Sequence, residues 1–212
     1  MDPRNDSTSQ PDLNPQVEQI LAALKEKPTA YLVAITGIPG SGKSTLSAAI
    51  AERIPKTVVM PMDGYHWPRK QLSDQDMKRR GAPHTFDYQS LSEDLKSLRQ
   101  NHEGLFPAFD HSAKDPQADA ICVSSDAALV LVEGNYLLLN EWQLGSLFDF
   151  TVFVDSDLKV AMERVVDRLC ECGICPTREE ALQQMQSNDL LNAQLILADG
   201  AAERSDLCVY QS

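Results

Sequence analysis

The stretch ITGIPGSGKSTL, residues 35–46, gathers three glycines, a lysine and several hydroxyl side chains within the nine positions from Gly37 to Thr45. From Gly37 to Ser44 it fits G-x-x-x-x-G-K-[ST] in full. Bare glycine backbone lets successive N–H groups turn inward and form an anion nest. The helix that follows aims its positive dipole end at the same point. An apolar run, YLVAITG at 31–37, precedes the loop and a helical pattern from Ser44 to Ile54 follows it, so the motif sits where its mechanism requires. The expected ligand is the polyphosphate of ATP. Gly37, Gly40, Ser41, Gly42 and Thr45 would form its cradle, Lys43 would reach the β- and γ-phosphates, and the Ser44 hydroxyl would ligate Mg²⁺.

Working outward, short apolar runs alternate with helical patterns. Strands are expected at TVVMPMDG (57–64), ALVLVEGNY (128–136), FTVFVDS (150–156) and DLCVYQ (206–211), and AICVSS (120–125) reads as a strand approaching the same sheet. Helices are expected from Val17 to Lys25, over 90–100, from Asp157 to Cys170 and over 178–198. This order predicts an α/β fold, a doubly wound parallel sheet of P-loop type with a small helical lid at roughly 164–178. Residues 16–212 read as one domain, and the polar residues 1–15 as a disordered tail. In such sheets ligands gather beyond the C-terminal strand ends. Gly37, Asp63, Glu133 and Asp155 all fall there.

Composition narrows the partners. The 212 residues carry a net charge of −12 and are 42% apolar. An acidic surface repels nucleic-acid backbones, whereas one cationic pocket suffices for a nucleotide. No run reaches the ~18–20 apolar residues of a membrane span. The N-terminus lacks a signal-peptide pattern, and the five cysteines form no paired framework, so a cytoplasmic protein is expected. Homodimerisation is left open. CECGIC (170–175) offers three close cysteines, too few for a closed structural zinc site.

Two carboxylates extend the phosphate site. Asp63, at the end of the second strand, is placed to accept the proton of an attacking hydroxyl. Glu133 ends a very apolar strand, where orienting a Mg²⁺ ion is a reason to bury a carboxylate. The guanine-reading N-K-x-D pattern of GTPases is missing. A small-molecule kinase is the reading, and a nucleotide-binding module without turnover, acting as a switch or scaffold, is the alternative.

With these motifs in order, the chain resembles the phosphoribulokinase/uridine kinase family, and within it the pantothenate-kinase-like branch. GIPGSGKST resembles the family P-loop, MDGYH the element bearing the catalytic base, KRRGAPHTFDYQSL (78–91) a segment near the acceptor, and VEGNYLLL the V-E-G-x-x-x-L element. FPAFDHSAKDP (106–116) is similar to the acceptor-binding segment. The resemblance covers roughly residues 30–210. It implies Asp63 as base and Arg80, His111 and Asp110 as acceptor ligands, with Asp115 beside them. AMERVVDRL, after Asp155, looks like the lid helix, which implies Arg164 and Arg168 as the arginines that offset phosphoryl charge. The likeness extends to small fungal ATP-dependent kinase-like proteins. Phe109 replaces the tyrosine of uridine and pantothenate kinases and Lys114 their Tyr or His, so the expected acceptor is a small metabolite such as a sugar, nucleoside or pantothenate-like molecule.

Overall fold

The structure is a computed structural model that describes residues 14–110 and 112–211. Residues 1–13 and the candidate ligand His111 lie outside the described residues. Helix α1 (Asn14–Lys25) begins two residues inside the expected tail, with Pro15 in the first turn, where a missing N–H costs nothing.

Five parallel strands form the central sheet: β1 (Leu32–Thr36), β2 (Thr57–Pro61), β5 (Leu129–Gly134), β6 (Phe150–Asp155) and β7 (Leu207–Tyr210). Their order across the sheet is β2-β5-β1-β6-β7. The inner strands are apolar at nearly every position because both faces are covered. Alternation assigns the faces. Leu32, Ala34, Val130 and Val132 point into one core, and Val33, Ile35, Leu129 and Leu131 into the other. The second core is closed by α1 and by α2 (Lys43–Arg53), through Val17, Ile20, Leu46 and Ile50.

The first core is closed by α4 (Tyr88–Asn101), α5 (Leu158–Glu171), α6 (Arg178–Gln184) and α7 (Leu190–Asp199). Leu91, Leu95 and Leu98 of α4 are fully buried, each stabilising the fold by on the order of 1.5–3 kcal/mol. Asp87 caps α4 by accepting from Ser90 N, and Asp157 caps α5 by accepting from Lys159 N and Val160 N. A one-turn helix, α3 (Asp74–Lys78), opens on a capping box between Ser73 and Asp76. The doubly wound parallel sheet expected from the sequence is the observed fold.

One expectation is corrected. AICVSS does not approach the sheet: its first four residues end β4 (Asp115–Val123), which pairs antiparallel with β3 (Gly104–Asp110) in a separate two-stranded hairpin. The register shifts between Phe106 and Ala108, at Pro107, which has no N–H to give the ladder. Phe106 and Val123 anchor the hairpin in the first core, and Asp115 near its far end accepts from Arg69 N at 2.8 Å. Among the described residues no helix is long and apolar enough to cross a membrane.

Candidate active site

The loop between β1 and α2 is shaped by what touches it. Gly40 and Gly42 adopt left-handed backbone, with φ 78° and 89°. A Cβ on Gly40 would overlap the carbonyl oxygen of Ala161 in α5, and one on Gly42 would overlap the carboxamide of Gln211, just past β7. Glycine is therefore demanded by close packing as well as by φ. The Ser41 hydroxyl is buried without a hydrogen-bond partner among the described residues. A tight backbone cradle at the start of α2, with a buried hydroxyl left unsatisfied inside it, fits an anionic polyphosphate.

Lys43 is only 7% exposed, and its Nζ donates to Ile38 O at 2.8 Å, spanning the loop it belongs to. Burial lowers its pKa to about 8, against the attraction of Glu133 and Asp63, while the Arg168 charge adds to the lowering. Glu133, next to last in β5, lies between Ile35 of β1 and Pro61 of β2, so strand register alone brings it beside the loop. Ser44 Oγ donates to Glu133 Oε1 at 2.9 Å. Burial raises the Glu133 pKa, Lys43 opposes that rise and Asp63 reinforces it. A hydroxyl and a carboxylate oxygen side by side suit Mg²⁺, which accepts one or two protein oxygens and keeps several waters.

Asp63 lies in the 3₁₀ turn Met62–Tyr65 that follows β2 and is exposed to the site. A Cβ on the next residue, Gly64, would overlap the carbonyl oxygen of Pro107, so the turn rests on the hairpin bulge. Arg168 projects from α5, and its charge acts on both Lys43 and Glu133. Arg164 lies one turn earlier on α5, half-buried, and Thr45 is exposed in the first turn of α2. Lys43, Ser44, Asp63, Glu133 and Arg168 thus converge at one end of the sheet.

Beside Asp63 stands a second group. Arg80 donates through Nη2 to Asp115 Oδ1 at 2.9 Å and to Trp67 O at 3.2 Å, and through Nη1 to Lys114 O. Its guanidinium lies 5.4 Å above the Phe109 ring. The His66 ring packs, tilted, against Phe86 at 3.9 Å between centroids and meets Phe109 at 5.2 Å. Burial lowers the His66 pKa, with the nearby Asp63 and Asp115 opposing and Arg80 assisting. Asp110 is tied into the hairpin turn: its Oδ1 accepts from Ser112 N at 2.7 Å and Ala113 N at 3.1 Å, so its expected acceptor role rests on Oδ2. His66 and Gln211 are neighbours of the site that the sequence reading did not include. The Asp-Gly-Tyr-His adjacency was a signal for the first. For Gln211, 169 positions from Gly42 in the chain, the sequence carries none.

The model of the phosphoribulokinase/uridine kinase family matches residues 32–171, from β1 through α5. The chain belongs to that family. A Schizosaccharomyces pombe protein named "Putative uridine kinase C227.14" is 38% identical over 178 residues, covering 76% of this chain and 75% of that one. An "ATP-dependent kinase-like protein" of Aspergillus versicolor is 36% identical over 145 residues, 62% of this chain and 84% of that one. Among solved structures, a "putative fructose transport system kinase" from Silicibacter superposes with a TM-score of 0.79 at 30% identity, covering 93% of this chain and 98% of that chain.

For this member of the phosphoribulokinase/uridine kinase family, a P-loop kinase by kinship, the lowered Lys43 pKa has a measurable outcome. A bound polyphosphate favours the charged lysine, so binding above pH 8 must be accompanied by proton uptake. Affinity for MgATP is expected to be level through neutral pH and to fall above pH 8, by up to about tenfold per unit. Titration calorimetry from pH 6.5 to 9.5 checks this, and a flat profile across pH 8–9.5 would contradict the position of Lys43.

Proposed function

We propose that the chain transfers the γ-phosphoryl group of MgATP to a hydroxyl of a small metabolite. The observation that carries the reading is the Ser44–Glu133 hydrogen bond of 2.9 Å at the mouth of the cradle, with the exposed Asp63 carboxylate facing the same two sites, Lys43 and Glu133. Nucleotide binding alone accounts for the loop and Lys43. It does not account for a second carboxylate, the exposed Asp63, beside an aromatic and guanidinium wall.

MgATP supplies the phosphoryl group and the divalent charge. The backbone of residues 37–44 and Lys43 hold the phosphates, and Ser44 and Glu133 hold the metal or its waters. Arg168, with Arg164, offsets charge on the transferring group from the lid side. Asp63 takes the proton of the acceptor hydroxyl on its carboxylate as that oxygen attacks. Arg80 and His66 orient the acceptor, and Phe86 and Phe109 shield it from water. His111 completes this set on the strength of the sequence resemblance. A wall of one guanidinium, one imidazole and flat rings suits a ring-bearing polyol or a pantothenate-like molecule, and the net charge of −12 argues against nucleic acid.

The test is ADP release with MgATP at neutral pH, measured against free sugars including fructose, nucleosides including uridine, and pantothenate. At least one is expected to raise the rate about tenfold or more above the acceptor-free rate, because buried polar walls discriminate strongly among hydroxyl compounds. Turnover with a protein or nucleic acid alone would overturn the small-molecule reading. MgATP binding with no acceptor-stimulated turnover anywhere in the panel would favour a binding module.

A further inference from the structure

Between the start of α4 and the 3₁₀ turn Asn140–Trp142 lies a cavity of about 520 Å³, a size that holds a small organic molecule. Its walls include four aromatic residues, Trp67, Phe86, Tyr88 and Trp142, and two acidic ones, Asp87 and Glu141. Lys43, Ser44, Asp63, Glu133 and Arg168 are not among the residues that line it. The cavity is therefore separate from the phosphate site, although it borders the acceptor wall: Phe86 also packs against His66, and Trp67 O also accepts from Arg80.

Two short stretches place the rings. In TFDY (85–88), Asp87 N donates to Tyr65 O at 2.8 Å and the Asp87 side chain caps α4, so Phe86 is buried in the first core while Tyr88 opens the helix. In the turn after β5, Trp142 N donates to Leu139 O at 3.0 Å. The rings then fix one another. Tyr88 lies nearly parallel to Trp142, 5.2 Å between centroids and 13° between planes, and Phe86 and Tyr136 meet Trp142 edge-on at 6.2 Å and 5.4 Å. Walls already ordered this way lose little freedom when a ligand enters.

Charge narrows the ligand. No lysine or arginine is found among the described residues that line the cavity, and the His84 imidazole there lies 3.4 Å from Asp76 Oδ1. Asp87 accepts from Ser90 N at 3.0 Å and from Ser90 Oγ at 2.7 Å, one bond to each oxygen, so both oxygens keep accepting capacity. Glu141 is exposed at the rim. Ring faces and carboxylates both attract a cation, and apolar walls attract carbon substituents on it. An anion meets the wrong charge.

We propose that this cavity is a second binding site, for a small alkylammonium compound whose nitrogen lies against the rings and near Asp87 and Glu141. The site stands whether or not the chain turns over MgATP.

The probes are choline and 3,3-dimethylbutan-1-ol, its uncharged isostere, added to the full chain. Both tryptophans of the sequence line the cavity, so intrinsic tryptophan emission reports its occupancy. Choline is expected to change that emission saturably and to bind, by calorimetry, at least about fivefold tighter than the isostere. Glu141→Gln, and Asp87→Asn, which retains a helix cap, should each weaken choline about twofold to fivefold and leave the isostere within about twofold. Tyr88→Leu, which removes a ring and keeps an apolar side chain, should weaken choline about threefold to tenfold. Choline carries a hydroxyl, so the acceptor pocket is its rival seat; Asp63→Asn should leave its affinity within about twofold of wild type. The proposal is overturned if the isostere binds as well as choline, if heat of binding comes without a change in tryptophan emission, or if neither signal appears. A loss in Asp63→Asn larger than in Glu141→Gln and Asp87→Asn would overturn it too, by seating choline at the acceptor pocket.

Discussion

Asp63→Asn is expected to lower acceptor-dependent phosphoryl transfer by about 10²–10⁴ while leaving MgATP affinity near the wild-type value, because it keeps the shape of the side chain and removes only its capacity to take a proton. The position is well controlled. The 3₁₀ turn that bears Asp63 is held by Gly64 against Pro107 and by Tyr65, whose hydroxyl donates to Asp94 Oδ2 at 2.7 Å. An amide there meets no new steric demand. Removing a negative charge near the phosphates, if anything, favours the nucleotide. The measurement is kcat by ADP release with an acceptor from the panel, beside calorimetric affinity for MgATP. Transfer within about threefold of wild type would place the base elsewhere.

Lys43→Ala is expected to cost MgATP affinity about 10- to 100-fold, the worth of one charge-assisted contact of about 1.5–3 kcal/mol. The fold should tolerate it. The native lysine is a buried cation whose depressed pKa of about 8 shows that its surroundings resist the charge, so the ligand-free chain gives up nothing it needs. A melting temperature equal to or above that of wild type, with nucleotide affinity lost, is the expected pair of results. Lost affinity together with a lowered melting temperature would mean that the bond from Nζ to Ile38 O holds the loop together, and that the lysine is structural first.

The parts of this molecule that a reader of the sequence could find are those set by local rules. The P-loop was legible because Gly40, Gly42, Lys43 and Ser44 must follow one another for a strand to feed a helix around an anion. Asp63 and Glu133 were legible because apolar strands end where they stand, and strand ends converge. The hairpin was misjudged for a physical reason. Residues 117–120 of β4 are exposed, so no alternation marks the strand, and only the apolar Ile121 and Val123 look like sheet. The π-turn Met185–Asp189, between α6 and α7, left no trace either. One extra residue in a helical turn shifts the phase without breaking the run of helix formers from Arg178 to Asp199. Nothing in that run singles out Asn188 and Asn192, though both are buried and bonded to backbone more than 100 positions away. Gln211 escaped notice because its neighbour Gly42 is brought to it only by the pairing of β1 with β6 and of β6 with β7.

The β3–β4 hairpin has a bearing on how such a chain diversifies. Its strand ladder is its own, and it is tied to the body by Phe106 and Val123 in the core and by the bonds of Arg69 and Arg80 to Lys114 and Asp115, with Phe109 on the same arm. The nucleotide half answers to the strand order of the main sheet, where a change in one strand is felt by its neighbours. Under the proposed reaction, substitutions near the tip of the hairpin would change which metabolite is accepted and leave the strand ends that handle the phosphate donor as they are.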